Sequence, residues 1–600
     1  MDIMNYCKGD EFEAYDYLGA HVGKNGTVFR TYAPNASKVS VIGDFSQWKE
    51  LSMEPVGDGR FFELRVKSAE EGMRYKYRIY DSKGSFIDHC DPYGFGMEVR
   101  PGTCSVIRSI KDYSFGDDEW LEFRSDCRDK PMNIYEVHLG SWKRRSDEDS
   151  EGWFSYGEIA DELIGYVREY GYNYIELMPL GEHPCDESWG YQCTGFFAPT
   201  SRYGTPAELM ELVDKCHKNG IGVIMDFVPV HFAVDHYALT EYDGTKLYEY
   251  PYDDIGYNEW GSRNFDHGKG EVRSFIQSAA DYWLSVYHFD GLRMDAVRNM
   301  IYWNGDEHRG ENRTAIDFLR SMNCGLKARH PSAVIAAEDS SAYPKVTAPV
   351  FDGGLGFDYK WDLGWMHDTL DYFRSAPMYR SRDYHKLTFS MLYFYNEKFI
   401  LPLSHDEVVH GKATIAQKMN GQYNAKFPQA RALYMYMIVH PGKKLNFMGN
   451  EIAQLREWDE KRQQDWDMLK YPLHNSFREY IKELNYIYLK HKALWYDYDP
   501  TNFEWSDCNS VDRCVYAVRR KAAEGDILAV FNFSDWFQSG YSVTVGEKYD
   551  AELLLDSDDQ LYSGTTPHGK TAFSSYGGRL TMDIPPFSGR MFLLKLKKEQ

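Results

Sequence analysis

Eight short apolar runs separated by stretches of helical pattern fill the middle of this chain, and nothing else in it restricts the fold as strongly. They are NIYEVHLGSW (133–142), YNYIELMPL (172–180), IGVIMDFVPVH (221–231), FDGLRMDAV (289–297), AVIAAEDS (333–340), GGLGFDY (353–359), KFILPLSHDEVV (398–409) and KLNFMGNE (444–451). Strands that alternate with helices form parallel βαβ units, and parallel strands covered on both faces are apolar almost throughout. Eight of them predict an α/β protein built on a central (β/α)8 TIM barrel. Two of the intervening helices are well punctuated. Ser155 with Glu158, and Thr205 and Pro206 with Glu208, are capping-box patterns, and Gly220 stops the second, which predicts helices over 156–170 and 206–219.

The barrel leaves both ends of the 600-residue chain over, and a chain this long exceeds what one hydrophobic core serves. TVFRTYAP (27–34), KVSVIGDF (38–45), RFFELRV (60–66) and MRYKYRIYD (73–81) alternate with period two between turn signals, the pattern of a small antiparallel β-sandwich. The same alternation returns in RCVYAVRRK (513–521), DILAVFNFS (526–534), SVTVGEKYDAELLLD (542–556) and RMFLLKLK (590–597), a second sandwich. The expected division is therefore 1–110, 111–495 and 496–600.

A formal charge of −23 without any basic block argues against nucleic acid and anionic lipid and points to a neutral partner. No stretch has the roughly 18–20 apolar residues of a membrane helix. The N-terminal MDIMNYCKGDEFEAYDY is acidic and aromatic where a secretion signal is basic and then apolar, so a cytoplasmic protein is expected. Ten dispersed cysteines without a CxxC pair suggest reduced, mostly buried thiols and neither a zinc cluster nor a disulfide framework. HFAVDH (231–236) and HDEVVH (405–410) are not HExxH, and no GxxxxGK[ST] loop is present, so no metal and no cofactor is expected. Aromatic residues at 16% suit stacking on sugar rings but suit core packing equally well.

In a TIM barrel the reacting groups come from the carboxyl ends of the strands. Asp226 follows GVIM, Asp295 follows GLRM, Glu338 follows VIAA and Asp406 follows LPLSH, four acids against four apolar runs. Asp295, Glu338 and Asp406 are 43 and 68 residues apart, and only a closed barrel unites them. Acetal cleavage needs one carboxyl to protonate the leaving oxygen and one carboxylate to attack or stabilise an oxocarbenium-like carbon. Arg293, two residues before Asp295, lies on the same strand face, where its charge favours the ionised nucleophile.

These segments resemble the α-amylase superfamily of glycoside hydrolases and, within it, the glycogen branching enzymes. DFVPVH (226–231), GLRMDAV (291–297), AED (337–339) and LPLSHDEVVHGK (401–412) fall in the order of the superfamily's four motif regions. EHPCDESWGYQCTGFFAPTSRYGTP (182–206), GGLGFDYKWDLGWMHDTL (353–370) and FMGNE (447–451) are similar to branching enzymes in particular, and GTVFRTYAPNASKVSVIGDFSQW (26–48) to the carbohydrate-binding sandwich that precedes their barrel. The resemblance implies Asp295 as nucleophile, Glu338 as acid/base and Asp406 as the third catalytic carboxylate. It implies that His405, His231 and Arg293 hold the donor sugar, with Asp226 in support and Tyr191 as stacking platform. Trp189 is a further substrate-binding candidate on the acceptor side.

The implied reaction moves an α-1,4-linked chain to a 6-hydroxyl with retention. The implied partner is an α-glucan such as glycogen or amylose, bound by a monomer. An isoamylase-like debranching hydrolase, a 4-α-glucanotransferase and a non-catalytic glucan-binding protein remain as alternatives. Phe227 stands where the family usually has Trp, and YWNGDEHRGENR (302–313) departs from the family at a place where a loop borders the acceptor.

Overall fold

The computed structural model describes residues 1–124, 128–547, 549–569 and 573–596; Cys127, Lys548 and Lys597, each part of a run or a count above, lie outside them. The apolar runs become the strands β1 (Asn133–Val137), β2 (Tyr174–Leu177), β3 (Gly222–Phe227), β4 (Gly291–Met294), β5 (Val334–Ala337), β6 (Tyr359–Trp361), β7 (Phe399–Leu403) and β8 (Lys443–Phe447). They close in chain order into a parallel barrel. Every residue of β3, β4 and β5 is buried, which is why these strands read as continuous rather than alternating apolar segments.

The strands are shorter than the runs, each for a local reason. The run 353–359 contributes only its last residue to β6, because Gly353 and Gly356 hold φ of 83° and 82°, outside the extended region. The run 221–231 ends its barrel strand at Phe227, and His231–Phe232 turns away to pair antiparallel with Arg263–Asn264. The run 398–409 leaves the strand after Leu403 and tightens into a 3-10 turn, His405–Val408. Both predicted capping boxes form. The Ser155 N–H donates to Glu158 Oε2 at 2.7 Å and the Thr205 N–H to Glu208 Oε2 at 2.8 Å, at the starts of helices Tyr156–Glu169 and Pro206–Lys218.

The residues group into two compact units, Met1–Arg124, His138–Ile164 and Glu176–Asp358 in one, and the described residues of 125–137, 165–175 and 359–600 in the other. In the first, a four-stranded antiparallel sheet around Gly26–Tyr32 and Phe61–Val66 faces a second sheet around Lys38–Gly43 and Arg74–Tyr80. Phe29 of one sheet meets Tyr75 of the other edge-on at 5.0 Å, both fully buried. His217 forms a knot in the same unit: its Nδ1 lies 2.7 Å from Asp117 Oδ2 and its Nε2 2.9 Å from Asp290 Oδ2. Asp290, just before β4, also accepts the Val223 N–H at 2.7 Å. Burial alone lowers the His217 pKa, but the two carboxylates outweigh it and raise it to about 9.

In the second unit, a five-stranded and a three-stranded antiparallel sheet enclose a core that includes Val515, Ala517, Leu528, Val530, Val543 and Phe592. The run 542–556 is not one strand. Gln538–Thr544 belongs to the smaller sheet and Tyr549–Asp556 to the larger, so the chain changes sheets between them. The nine described cysteines are free, but only Cys90, Cys193, Cys216 and Cys514 are buried, which corrects the expectation of mostly buried thiols. Among the described residues no helix is long and apolar enough to cross a membrane.

Candidate active site

The carboxyl ends of β3, β4 and β5 are laddered, and the ladder continues into the first residue beyond each strand. Phe227 pairs with Met294 and Met294 with Ala337. The Asp295 N–H then donates to the Phe227 carbonyl and the Glu338 N–H to the Met294 carbonyl, both at 2.9 Å. The main chain thus sets the two acids at the same level of the barrel.

One guanidinium nitrogen organises the anionic side. Arg293 Nη1 donates to Asp226 Oδ1 at 2.8 Å, to Asp226 Oδ2 at 2.9 Å and to Asp295 Oδ1 at 2.7 Å. Tyr191 donates its phenolic O–H to Asp226 Oδ2 at 2.5 Å. Arg293 and Asp226 are each 1% exposed, so these charge-assisted bonds act where water screens them little. Burial by itself depresses the Arg293 pKa; Asp226, Tyr191, Asp295 and Glu338 more than reverse this and hold the guanidinium charged well above its ordinary value.

Ala296 follows Asp295 in a left-handed conformation, φ 48° and ψ 42°, which costs a non-glycine residue on the order of 1 kcal/mol. Its N–H donates to Glu338 Oε2 at 2.8 Å, so the turn after one acid holds the carboxyl of the other. Strain kept at this spot fits a site whose geometry matters more than local stability.

An open cleft of about 490 Å³ adjoins Glu338, and Ala296, Trp260, Arg298, Asn304 and Ser340 line it. Trp260 is 44% exposed, and its ring centre lies 5.4 Å from that of the buried His231. Burial pushes the His231 imidazole down to about 4, and its buried Nδ1 has no hydrogen-bond partner among the described residues. It is therefore a neutral imidazole near pH 7. Trp189 occupies a left-handed turn, φ 56°, two residues before Tyr191.

In the second unit His405 is fixed by Glu136, at the carboxyl end of β1. The His405 N–H donates to Glu136 Oε2 at 3.0 Å, and its Nδ1 lies 2.5 Å from Glu136 Oε1. Its Nε2 is 3.5 Å from Asp406 Oδ1, and Asp406 is half exposed. The structure therefore joins Tyr191, Asp226, Arg293, Asp295 and Glu338 into one bonded array and His405 with Asp406 into another.

Sequence reasoning missed Glu136 and Trp260. Glu136 had a signal, an acid inside the apolar run NIYEV. Trp260 sits in the irregular stretch YNEWGSRN, where no periodicity marks it.

The chain is similar to known proteins over nearly its whole length. Residues 17–94 match the family Carbohydrate-binding module 48 (Isoamylase N-terminal domain), 143–260 the α-amylase catalytic domain and 505–595 the α-amylase C-terminal all-β domain. The 1,4-α-glucan branching enzyme GlgB of Bacillus caldolyticus is 43% identical over 98% of this chain and 90% of its own length. That of Fusobacterium nucleatum is 43% identical over 96% and 94%. Among solved structures, a pullulanase from Anoxybacillus sp. LM18-11 complexed with maltotetraose superposes with a TM-score of 0.74 at 17% identity, covering 99% of this chain and 89% of that one. A Bacillus acidopullulyticus pullulanase gives 0.71 at 18% identity, covering 96% and 75%. At such identities these two structures speak for the fold, while the full-length relatives speak for the family. With β3, β4 and β5 presenting Asp226, Asp295 and Glu338 in one register, the chain belongs to the 1,4-α-glucan branching enzymes of the α-amylase superfamily.

Proposed function

We propose that this chain cleaves α-1,4 bonds of an α-glucan and rejoins the released chain to a 6-hydroxyl, making α-1,6 branches with retention of configuration. The observation that carries the reading is the Arg293 bridge, which ties Asp226 of β3 to Asp295 at the end of β4, the strand next to the one that Glu338 follows. Asp295 attacks the anomeric carbon as Glu338 protonates the departing glycosidic oxygen, giving a glycosyl ester on Asp295. The 6-hydroxyl of a second chain then attacks the same carbon. Its proton passes to Glu338, and the C1–O bond to Asp295 breaks with the electron pair returning to the carboxylate.

Asp406 and His405 bind hydroxyls of the donor sugar in this reading, and His231 and Arg293 support the same sugar. Tyr191 stacks on it, Asp226 orders Arg293 and Tyr191, and Trp189 contacts substrate. The working division is a carbohydrate-binding sandwich over 1–110, a catalytic barrel over 111–495 and a C-terminal sandwich over 496–600, in a monomer.

Amylose incubated with the protein tests the reaction. The blue iodine complex is lost while reducing ends stay nearly constant, and reducing ends appear when an α-1,6-specific debranching enzyme is added. A parallel rise in reducing ends during the first incubation means a hydrolase. Colour loss without debranching-sensitive links means a 4-α-glucanotransferase.

A further inference from the structure

After the glycosyl ester has formed, water and a sugar hydroxyl compete for the same carbon, and water is present at far higher concentration. A transferase therefore needs a place that holds the acceptor before the second step, because an oriented hydroxyl reaches an effective molarity that free water does not. The cleft beside Glu338 has the chemistry of such a place. Trp260 offers an exposed aromatic face for a sugar ring, and Arg298 and Ser340 offer donors and acceptors for its hydroxyls.

Its walls are tied together through one side chain, Asn264. Asn264 Oδ1 accepts from Asn258 Nδ2 at 3.0 Å, and Asn264 Nδ2 donates to Asn304 Oδ1 at 2.7 Å and to the Ile255 carbonyl at 2.9 Å. Asn258 Oδ1 in turn accepts the Trp260 N–H at 3.1 Å. On the other wall Asn304, left-handed at φ 52°, donates to the carbonyls of Asp254 and Tyr257 at 3.1 Å each. Arg298 Nε holds the Gly305 carbonyl at 2.7 Å. Asn264 also faces His231 across their two-stranded ladder. A chain of three amides thus runs from the loop of Trp260, past the partner strand of His231, to the 302–313 loop, and every amide in it is committed without any ligand.

We propose that this cleft is the acceptor-chain subsite, with Trp260 as its stacking platform and Asn264 as the positioning residue that sets its width. The cleft decides whether the glycosyl group passes to a 6-hydroxyl or to water. The proposal rests on the branching reading and goes further, by naming what separates transfer from hydrolysis in this chain. Because the walls are braced beforehand, seating the acceptor orders little of the protein, and the stacking contact goes into holding the hydroxyl near Glu338. The 302–313 loop forms one wall through Asn304, Gly305 and Asp306, so its length and composition bear on which acceptors fit.

The test uses the full chain with amylose as donor and maltohexaose as added acceptor. It reads the ratio of α-1,6 links to new reducing ends in the wild type and in Trp260→Ala, Trp260→Phe and Asn264→Ala. Expected is a fall of about tenfold in that ratio for Trp260→Ala and Asn264→Ala. Trp260→Ala should need about ten times more maltohexaose to regain the wild-type ratio, and Trp260→Phe should stay near wild type because it keeps a ring. Trp260 is exposed, so its variants test the cleft even where Asn264→Ala fails to fold. An unchanged ratio in folded Trp260→Ala overturns the proposal, as does an equal loss of cleavage and transfer. A wild type that forms no α-1,6 links refutes the branching reading itself, whatever the variants do.

Discussion

Arg293 allows the sharpest test of the site, because one of its nitrogens serves three carboxylate oxygens in a place that water barely reaches. Arg293→Met removes the cation that bridges the buried Asp226 to Asp295, and breaking a buried pair from one side costs about 3–5 kcal/mol. Arg293→Lys keeps the charge, so most of the fold's stability survives, but the shorter ammonium does not serve both carboxylates in the same geometry. The bond from Arg293 to Asp295 Oδ1, at 2.7 Å, is the one that aims the proposed nucleophile. A hydrogen bond to a charged group contributes about 1.5–3 kcal/mol. At 1.36 kcal/mol per decade, its loss in the transition state lowers kcat about ten- to a hundredfold. The assay is the initial rate of iodine-complex loss on amylose across substrate concentrations, beside the thermal midpoint of each variant. The Lys variant should fold nearly as well as wild type with kcat reduced and KM little changed, while the Met variant should be both unstable and inactive. A folded Lys variant with wild-type kcat refutes the argument, as does a Met variant as stable as its parent.

Removal of the proposed nucleophile, Asp295→Ala, and of the proposed acid/base, Glu338→Gln, should each lower turnover by about a thousandfold or more with polymer binding kept, measured by rate assays beside glycogen co-sedimentation; near-normal turnover in a folded variant defeats the assignment. Glu136→Gln puts an amide against the backbone N–H and ring nitrogen of His405, and a roughly tenfold loss of kcat/KM is expected in a protein that still folds. His217, raised from 6.5 to about 9, gives stability that is full below pH 6.5 and lost as pH rises through about 9, roughly 3 kcal/mol in all. Pulse proteolysis in urea from pH 6 to 10 should show that slope in wild type and not in His217→Gln, and equal slopes contradict the knot's role. Trp48, 38% exposed with its indole N–H on Asp44 Oδ1 at 3.2 Å, should lower glycogen affinity on change to Ala without slowing turnover of short donors; unchanged affinity in the folded variant makes the N-terminal sandwich a structural part only.

What could be read from the sequence followed from periodicity and from strand ends. Asp226, Asp295 and Glu338 stood out because an acid closing an apolar run is costly to place anywhere but a strand terminus that opens on a site. Arg293 was legible for the same reason: two residues from Asp295 on one strand means one face. The sixth strand was displaced because GGLGFDY looks apolar while its glycines fold back, and composition carries no φ angle. The C-terminal run 542–556 hid a change of sheet, since each half alternates correctly and only long-range pairing divides them. Trp260 and the asparagine chain were invisible, because residues of irregular loops meet through contacts that leave no period in the sequence. Glu136 was visible but was absorbed into its strand, since its purpose depends on a histidine 269 residues away.

The hydrogen bonds that pass from Phe227 to Asp295 and from Met294 to Glu338 have a consequence for how such a chain can change over time. They belong to the backbone, so exchanging side chains around them leaves the main chains of Asp295 and Glu338 at the same level of the barrel. A single residue inserted within Gly291–Met294 or Val334–Ala337, by contrast, would turn one acid to the outside of the barrel. Insertions between the helices Val297–Ile301 and Arg313–Arg329 lie outside both strands and lengthen the segment that joins those helices. Descendants of this chain are therefore free to exchange, extend or shorten what overhangs the site and to acquire new acceptors, while the pair of acids beneath is inherited as a fixed instrument.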